Sequence, residues 1–166
     1  MQPYLLDISE AKKTYVLTDG ILSEILELDL SMIKMKLCHS DDGVGWAEEE
    51  CDLAELQYKR FLTLLKLYPE KSIVPNKTMD TFWHYHILDT RKYHYDCDNI
   101  FGGYVHHFPY FGLRGEEDKK NLITAFEQTL NLFKFHFGFE MNGNSVGCGN
   151  DGGNCVQTCS NQNCSR

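Results

Sequence analysis

Apolar positions recur with helical spacing along most of the chain. Between Trp46 and Tyr68 the residues Ala54, Tyr58, Phe61, Leu62 and Leu65 follow an i, i+3, i+4 pattern, so one face of a helix is buried. Glu48, Glu49 and Glu50 fall in its first turns, where carboxylates suit the positive helix end, and Pro69 stops it. Val74-Pro75-Asn76 sets up a second helix, with Asn76 or Thr78 as cap, running through about Leu88. Asp89-Thr90 caps a third from Arg91 to Phe101, closed by Gly102-Gly103. A fourth opens at Glu116-Glu117-Asp118, aligns Leu122, Phe126, Leu130, Phe133 and Phe137, and ends at Gly138. Residues 21–38 predict one or two further helices, broken near Asp29-Leu30-Ser31, where Asp29 or Ser31 caps the second piece. Residues 1–20 are read only as an apolar start followed by a turn at Thr18-Asp19-Gly20. The expected fold is all-α, a compact bundle of about five helices.

After Met141 the pattern stops. Residues 142–166 are mostly Asn, Gly, Ser and Cys, which bury too little surface to offset the entropy of ordering. The division expected is therefore a helical domain over 1–141 and a disordered Cys/Gly/Asn-rich tail over 142–166.

Composition narrows the classes. With 42% hydrophobic and 13% aromatic residues in 166, the chain can bury a core without staples. A formal charge of −8 argues against nucleic acid or an anionic membrane as partner. No apolar run approaches the ~18 residues of a membrane span, and the first residues lack the basic-then-apolar order of a signal peptide. The cytoplasm is the expected location. Cys38, Cys51 and Cys97 stand singly among apolar neighbours and read as small buried hydrophobes. The other four, Cys148, Cys155, Cys159 and Cys164, crowd the tail at spacings that match neither a zinc ribbon nor a ferredoxin run. They could hold a soft metal, form disulfides or serve a tail-modifying enzyme as substrate. No Gly-rich phosphate loop, G-x-S-x-G elbow or H-E-x-x-H helix occurs.

Candidate chemistry concentrates between Asp80 and Gly112, which holds five of the seven histidines and ten of the 21 aromatic residues. Imidazoles and carboxylates set among rings can bind a metal, do acid–base work or form a structural network. His84 and His86 would share a face on a strand, but on a helix they lie about 200° apart. Asp80 and His84, four apart, do share one. His86, Asp89 and Tyr93 share another if the helix runs on unbroken. The candidate metal ligands are Asp80, His84, His86 and His107, and imidazole with carboxylate suits a Zn or Fe ion. Tyr85, Tyr95, Tyr104 and Tyr110 could line a pocket. Three functions fit: a module binding a metal or small molecule, a metal-dependent enzyme using the same centre, or a carrier for the Cys-rich tail.

The order Asp80-x-x-Trp83-His84-x-His86-x-Leu88-Asp89, then Tyr93-x-x-Asp96, Phe101-Gly102 and His107, resembles the glycine-rich domain-containing protein-like family, with the likeness running from about residue 28 to 138. It implies a helical fold and a site near these residues more than any activity. Members of that family carry acidic residues after the last histidine, whereas His107 is followed by Phe108-Pro109-Tyr110.

Overall fold

The computed structural model describes residues 17–138 and 140–141. The apolar start expected within residues 1–16 and the tail expected from 142 onward lie outside the described residues.

Two short strands, β1 (Leu17–Thr18) and β2 (Ile21–Leu22), pair antiparallel across a two-residue turn. Both turn residues have positive φ, Asp19 at 51° and Gly20 at 79°, which is the hairpin turn that follows the twist of paired strands. A Cβ on Gly20 would meet the His136 carbonyl oxygen at 2.8 Å, so the ribbon lies tight against the end of the last helix. The reading of 21–38 as helix from its first residue is corrected here. Ile21 and Leu22 belong to the ribbon, and their side chains are buried in the core. Two apolar residues are too short a run to show a period.

Helix α1 (Ser23–Leu26) is a single turn, and α2 (Ser31–Cys38) follows. Neither expected residue is the cap: the N-cap is Leu30, which makes no side-chain cap bond, and Asp29, one residue earlier, accepts the Ser31 N–H at 3.0 Å. Helix α3 (Glu48–Leu67) buries Cys51, Ala54, Tyr58, Phe61 and Leu62. Glu50 reaches back to accept the Ala47 N–H at 2.9 Å, one half of a capping box. Helix α4 (Lys77–Leu88) starts where the Asn76 side chain accepts the Met79 N–H at 2.8 Å. Helix α5 (Thr90–Phe101) is capped by Asp89 and closed by Gly102 in the left-handed region. Helix α6 (Glu116–Phe137) closes the same way at Gly138. The all-α expectation holds, with six helices among the described residues.

The core sits between α3 and α4. Tyr58 stacks on Phe82 with ring centroids 5.1 Å apart, and Phe61 meets Trp83 at the same separation. Helix α6 joins it through Phe126 and Phe133 and ties down the segment before α4, where the Thr129 hydroxyl accepts the Val74 N–H at 3.0 Å. The loop between α5 and α6 is held at one end by the Tyr93 hydroxyl, which donates to the Val105 carbonyl at 2.6 Å. At the other end the Asp118 carboxylate accepts the N–H groups of Gly112 and Arg114. That loop carries His107.

Candidate metal centre

Helix geometry decides which donors meet. Each residue of α4 turns ~100°, so Asp80 and His84 share the face turned toward the 102–115 loop, while His86 points the other way into the core. Asp80 is buried in the first turns, and its Oδ1 lies 2.8 Å from His107 Nε2. Its Oδ2 lies 3.7 Å from His84 Nδ1. The two imidazoles face one another with centroids 4.5 Å apart, and Trp83 backs His107 at 4.6 Å. One ligand atom from each of Asp80, His84 and His107 falls within 4.8 Å of the other two.

Metal–ligand bonds of ~2.0–2.2 Å put neighbouring donors about 3 to 3.5 Å apart around one ion. The separations of the Asp80 oxygens from His107 and His84, 2.8 and 3.7 Å, bracket that range, so the group could hold an ion. Three protein donors also leave coordination positions open. A cleft of about 410 Å³ adjoins them, lined by Asp80, Trp83, His107, Val74 and Phe111, with Lys71 and Arg114 among its cationic residues. None of Tyr85, Tyr95, Tyr104 and Tyr110 lines this cleft, whose aromatic wall is Trp83, Phe108 and Phe111, though Tyr95 lines a separate pocket with Glu24, Lys92 and Asn99.

His86 stands apart from the other three candidate ligands. Its Nε2 lies 2.9 Å from Asp96 Oδ2 and its Nδ1 2.9 Å from the Tyr58 hydroxyl. An ionised carboxylate only accepts, so Nε2–H donates to Asp96 and Nδ1 accepts from Tyr58 O–H. Both ring nitrogens are thus engaged. Asp89, expected on the same face, instead caps α5, while Tyr93 packs edge-on against the His86 ring at 4.9 Å.

Residues 32–131, well over half of the chain, match the sequence model of the UCP032817-like family, which is uncharacterised. The chain belongs to that family. This finding overturns the resemblance to the glycine-rich domain-containing protein-like family, which nothing else supports. The residues that carried the likeness include Trp83, His86, Tyr93 and Asp96, all of them buried here, and a run of core residues reports packing as much as descent. No curated protein and no solved structure matches the chain.

In this UCP032817-like chain the buried histidine makes stability depend on pH. Burial holds the His86 imidazole below its ordinary 6.5, against the opposing pull of Asp96. Lys92 sits 2.9 Å from the same carboxylate oxygen and weakens that pull. His136, half-buried with its Nε2 2.7 Å from the Tyr68 hydroxyl, is lowered for the same reason. The unfolded chain therefore takes up these protons at higher pH than the folded one does. Their contribution is complete above 6.5 and is lost as pH falls through the folded values. Urea midpoints should decline from 6.5 downward, and His136→Asn should flatten part of that decline. A midpoint constant across this interval would contradict the account.

The remaining histidines stay outside the centre. His94 pairs with Asp98 at 3.4 Å on the exposed side of α5, as their i, i+4 spacing suggests. His106 packs on Tyr104 at 4.9 Å and reaches the cleft rim. Burial raises the Cys97 thiol, consistent with an inert core residue. The sequence reading missed Tyr58 as a partner of His86. They are 28 residues apart on different helices, and Tyr58 shows only as one more position in an apolar stripe. It also missed that Cys38 and Cys51 are neighbours: their sulfurs lie 2.7 Å apart. Among the described residues no helix is long and apolar enough to cross a membrane.

Proposed function

We propose that this chain binds one transition-metal ion, Zn²⁺ or Fe²⁺, through Asp80, His84 and His107, and that the adjoining cleft brings a small molecule to the open coordination positions. The observation that carries the reading is the convergence of one carboxylate and two imidazoles, from a helix and a separate loop, within 4.8 Å. Two imidazoles and a carboxylate with vacant positions suit these ions. The 41% exposure of the His84 side chain and the contact of His107 with the cleft give an ion a way in. The same access supports the second reading, a metal-dependent enzyme, because substrate could reach the ion.

The test is metal content by mass spectrometry. The full chain is made without a histidine tag, its accessible thiols are alkylated, and it is loaded with Zn²⁺ or Fe²⁺ and dialysed. Close to one ion per chain is expected. His107→Ala and His84→Ala should retain a tenth or less, while His94→Ala, on the far side of α5, should match the unaltered chain. Equal metal in all four folded proteins would rule the reading out.

A further inference from the structure

The Cys38–Cys51 pair lies outside the metal centre and calls for its own explanation. Cys38 is the last residue of α2 and Cys51 sits in the first turns of α3, and the loop joining them doubles back so that the helix ends meet. The Leu37 carbonyl accepts the N–H groups of Val44, Gly45 and Trp46, at 3.1, 2.9 and 3.3 Å, which fixes that return. Lys34 on α2 bridges to Asp52 and Glu55 on α3, clamping the two helices beside the thiols. Within this frame the two sulfurs approach to 2.7 Å, closer than unbonded sulfurs ordinarily come. Cys51 is fully buried, whereas Cys38 is partly exposed.

We propose that Cys38 and Cys51 form a reversible thiol–disulfide site, oxidised by small-molecule disulfides such as glutathione disulfide. The difference in exposure sets the order of events. Cys38 gives its proton to water and its sulfur attacks one sulfur of glutathione disulfide; the S–S bond breaks, and one glutathione thiolate leaves and takes up a proton from water. Cys51 then gives its proton to water, and its sulfur displaces the second glutathione thiolate from Cys38. Two protein thiols are oxidised and one glutathione disulfide is reduced to two thiols. Until that second step Cys51 stays protonated, since burial and the neighbouring Cys38 sulfur push its thiol up to about 12. The closed form ties the end of α2 to the start of α3, removing freedom from the unfolded chain and raising the melting temperature.

The sequence makes the test direct. No Lys or Arg lies between Lys36 and Lys59, so trypsin leaves both cysteines on one peptide, 37–59. The full chain is equilibrated with glutathione disulfide, its remaining thiols are alkylated after unfolding, and it is digested without reductant. The expected peptide carries no alkyl group, is lighter than the reduced peptide by two hydrogens, and becomes doubly alkylated only after dithiothreitol and a second alkylation. In Cys51→Ala, which cannot close the bond, the peptide should instead retain one glutathione on Cys38. Oxidation should raise the melting temperature of the unaltered chain and leave that of Cys38→Ala unchanged. A peptide 37–59 that stays doubly alkylated overturns the proposal, as does glutathione retained on Cys38 in the unaltered chain.

Discussion

His86→Ala should destabilise the fold by about 3 kcal/mol or more, while His84→Ala, two positions earlier on the same helix, should cost under about 1 kcal/mol. The difference comes from what each ring touches. Removing the His86 imidazole opens a cavity among buried rings and strips the Tyr58 hydroxyl of its acceptor, and an unpaired buried hydroxyl alone costs about 1–3 kcal/mol. Asp96 keeps Lys92 at 2.9 Å, which limits the loss to less than that of an abandoned buried charge. His84 is partly exposed and its interaction with Asp80 is long, so stability hardly registers it. Urea unfolding of both variants decides the matter, and a double variant sharpens it. His86→Leu with Tyr58→Phe removes both hydrogen-bonding groups and should recover part of the loss. If His86→Ala and His84→Ala unfold at the same midpoint, the buried network does not contribute as described.

Trp83→Ala should be costlier still, about 3–5 kcal/mol. The indole packs on Phe61 and His107, and its N–H donates to the Tyr93 hydroxyl at 2.8 Å. Tyr93 in turn holds the Val105 carbonyl, so a single side chain joins the core to the loop bearing His107. Trp83→Phe keeps an aromatic ring but loses the N–H and part of the indole's buried volume, and should cost less than Trp83→Ala, about 1–3 kcal/mol. The informative comparison is thermal unfolding beside metal content. Trp83→Phe is expected to weaken metal retention more than its loss of stability suggests, because the loop is freed while an aromatic ring stays in the core. Full retention by a destabilised Trp83→Phe would mean that the loop is positioned by other contacts.

Local rules made much of this architecture readable. Asn76 caps α4, Asp89 caps α5, and Gly102 and Gly138 end α5 and α6 in the left-handed region, each at the residue where side-chain chemistry predicts it. Helical arithmetic likewise separated His84 from His86 and joined Asp80 to His84. What stayed hidden depends on contacts between distant segments. The pairing of Cys38 with Cys51 follows from the path of an irregular loop, and no periodicity encodes it. The ribbon of Leu17–Thr18 and Ile21–Leu22 is too short to alternate visibly. The family reading is corrected by the match of residues 32–131 to the UCP032817-like family.

The placement of Trp83 also gives the molecule an optical reporter. The chain has two tryptophans, and Trp46 lies apart on the segment leading into α3. Trp83, by contrast, has its ring 4.6 Å from His107. Its ultraviolet emission therefore originates beside the donor cluster, within range for an open-shell ion such as Fe²⁺ to quench it, whereas closed-shell Zn²⁺ would leave it bright. In a Trp46→Phe chain all tryptophan emission would come from that one ring, so occupancy and the choice of ion could be followed in real time without a label.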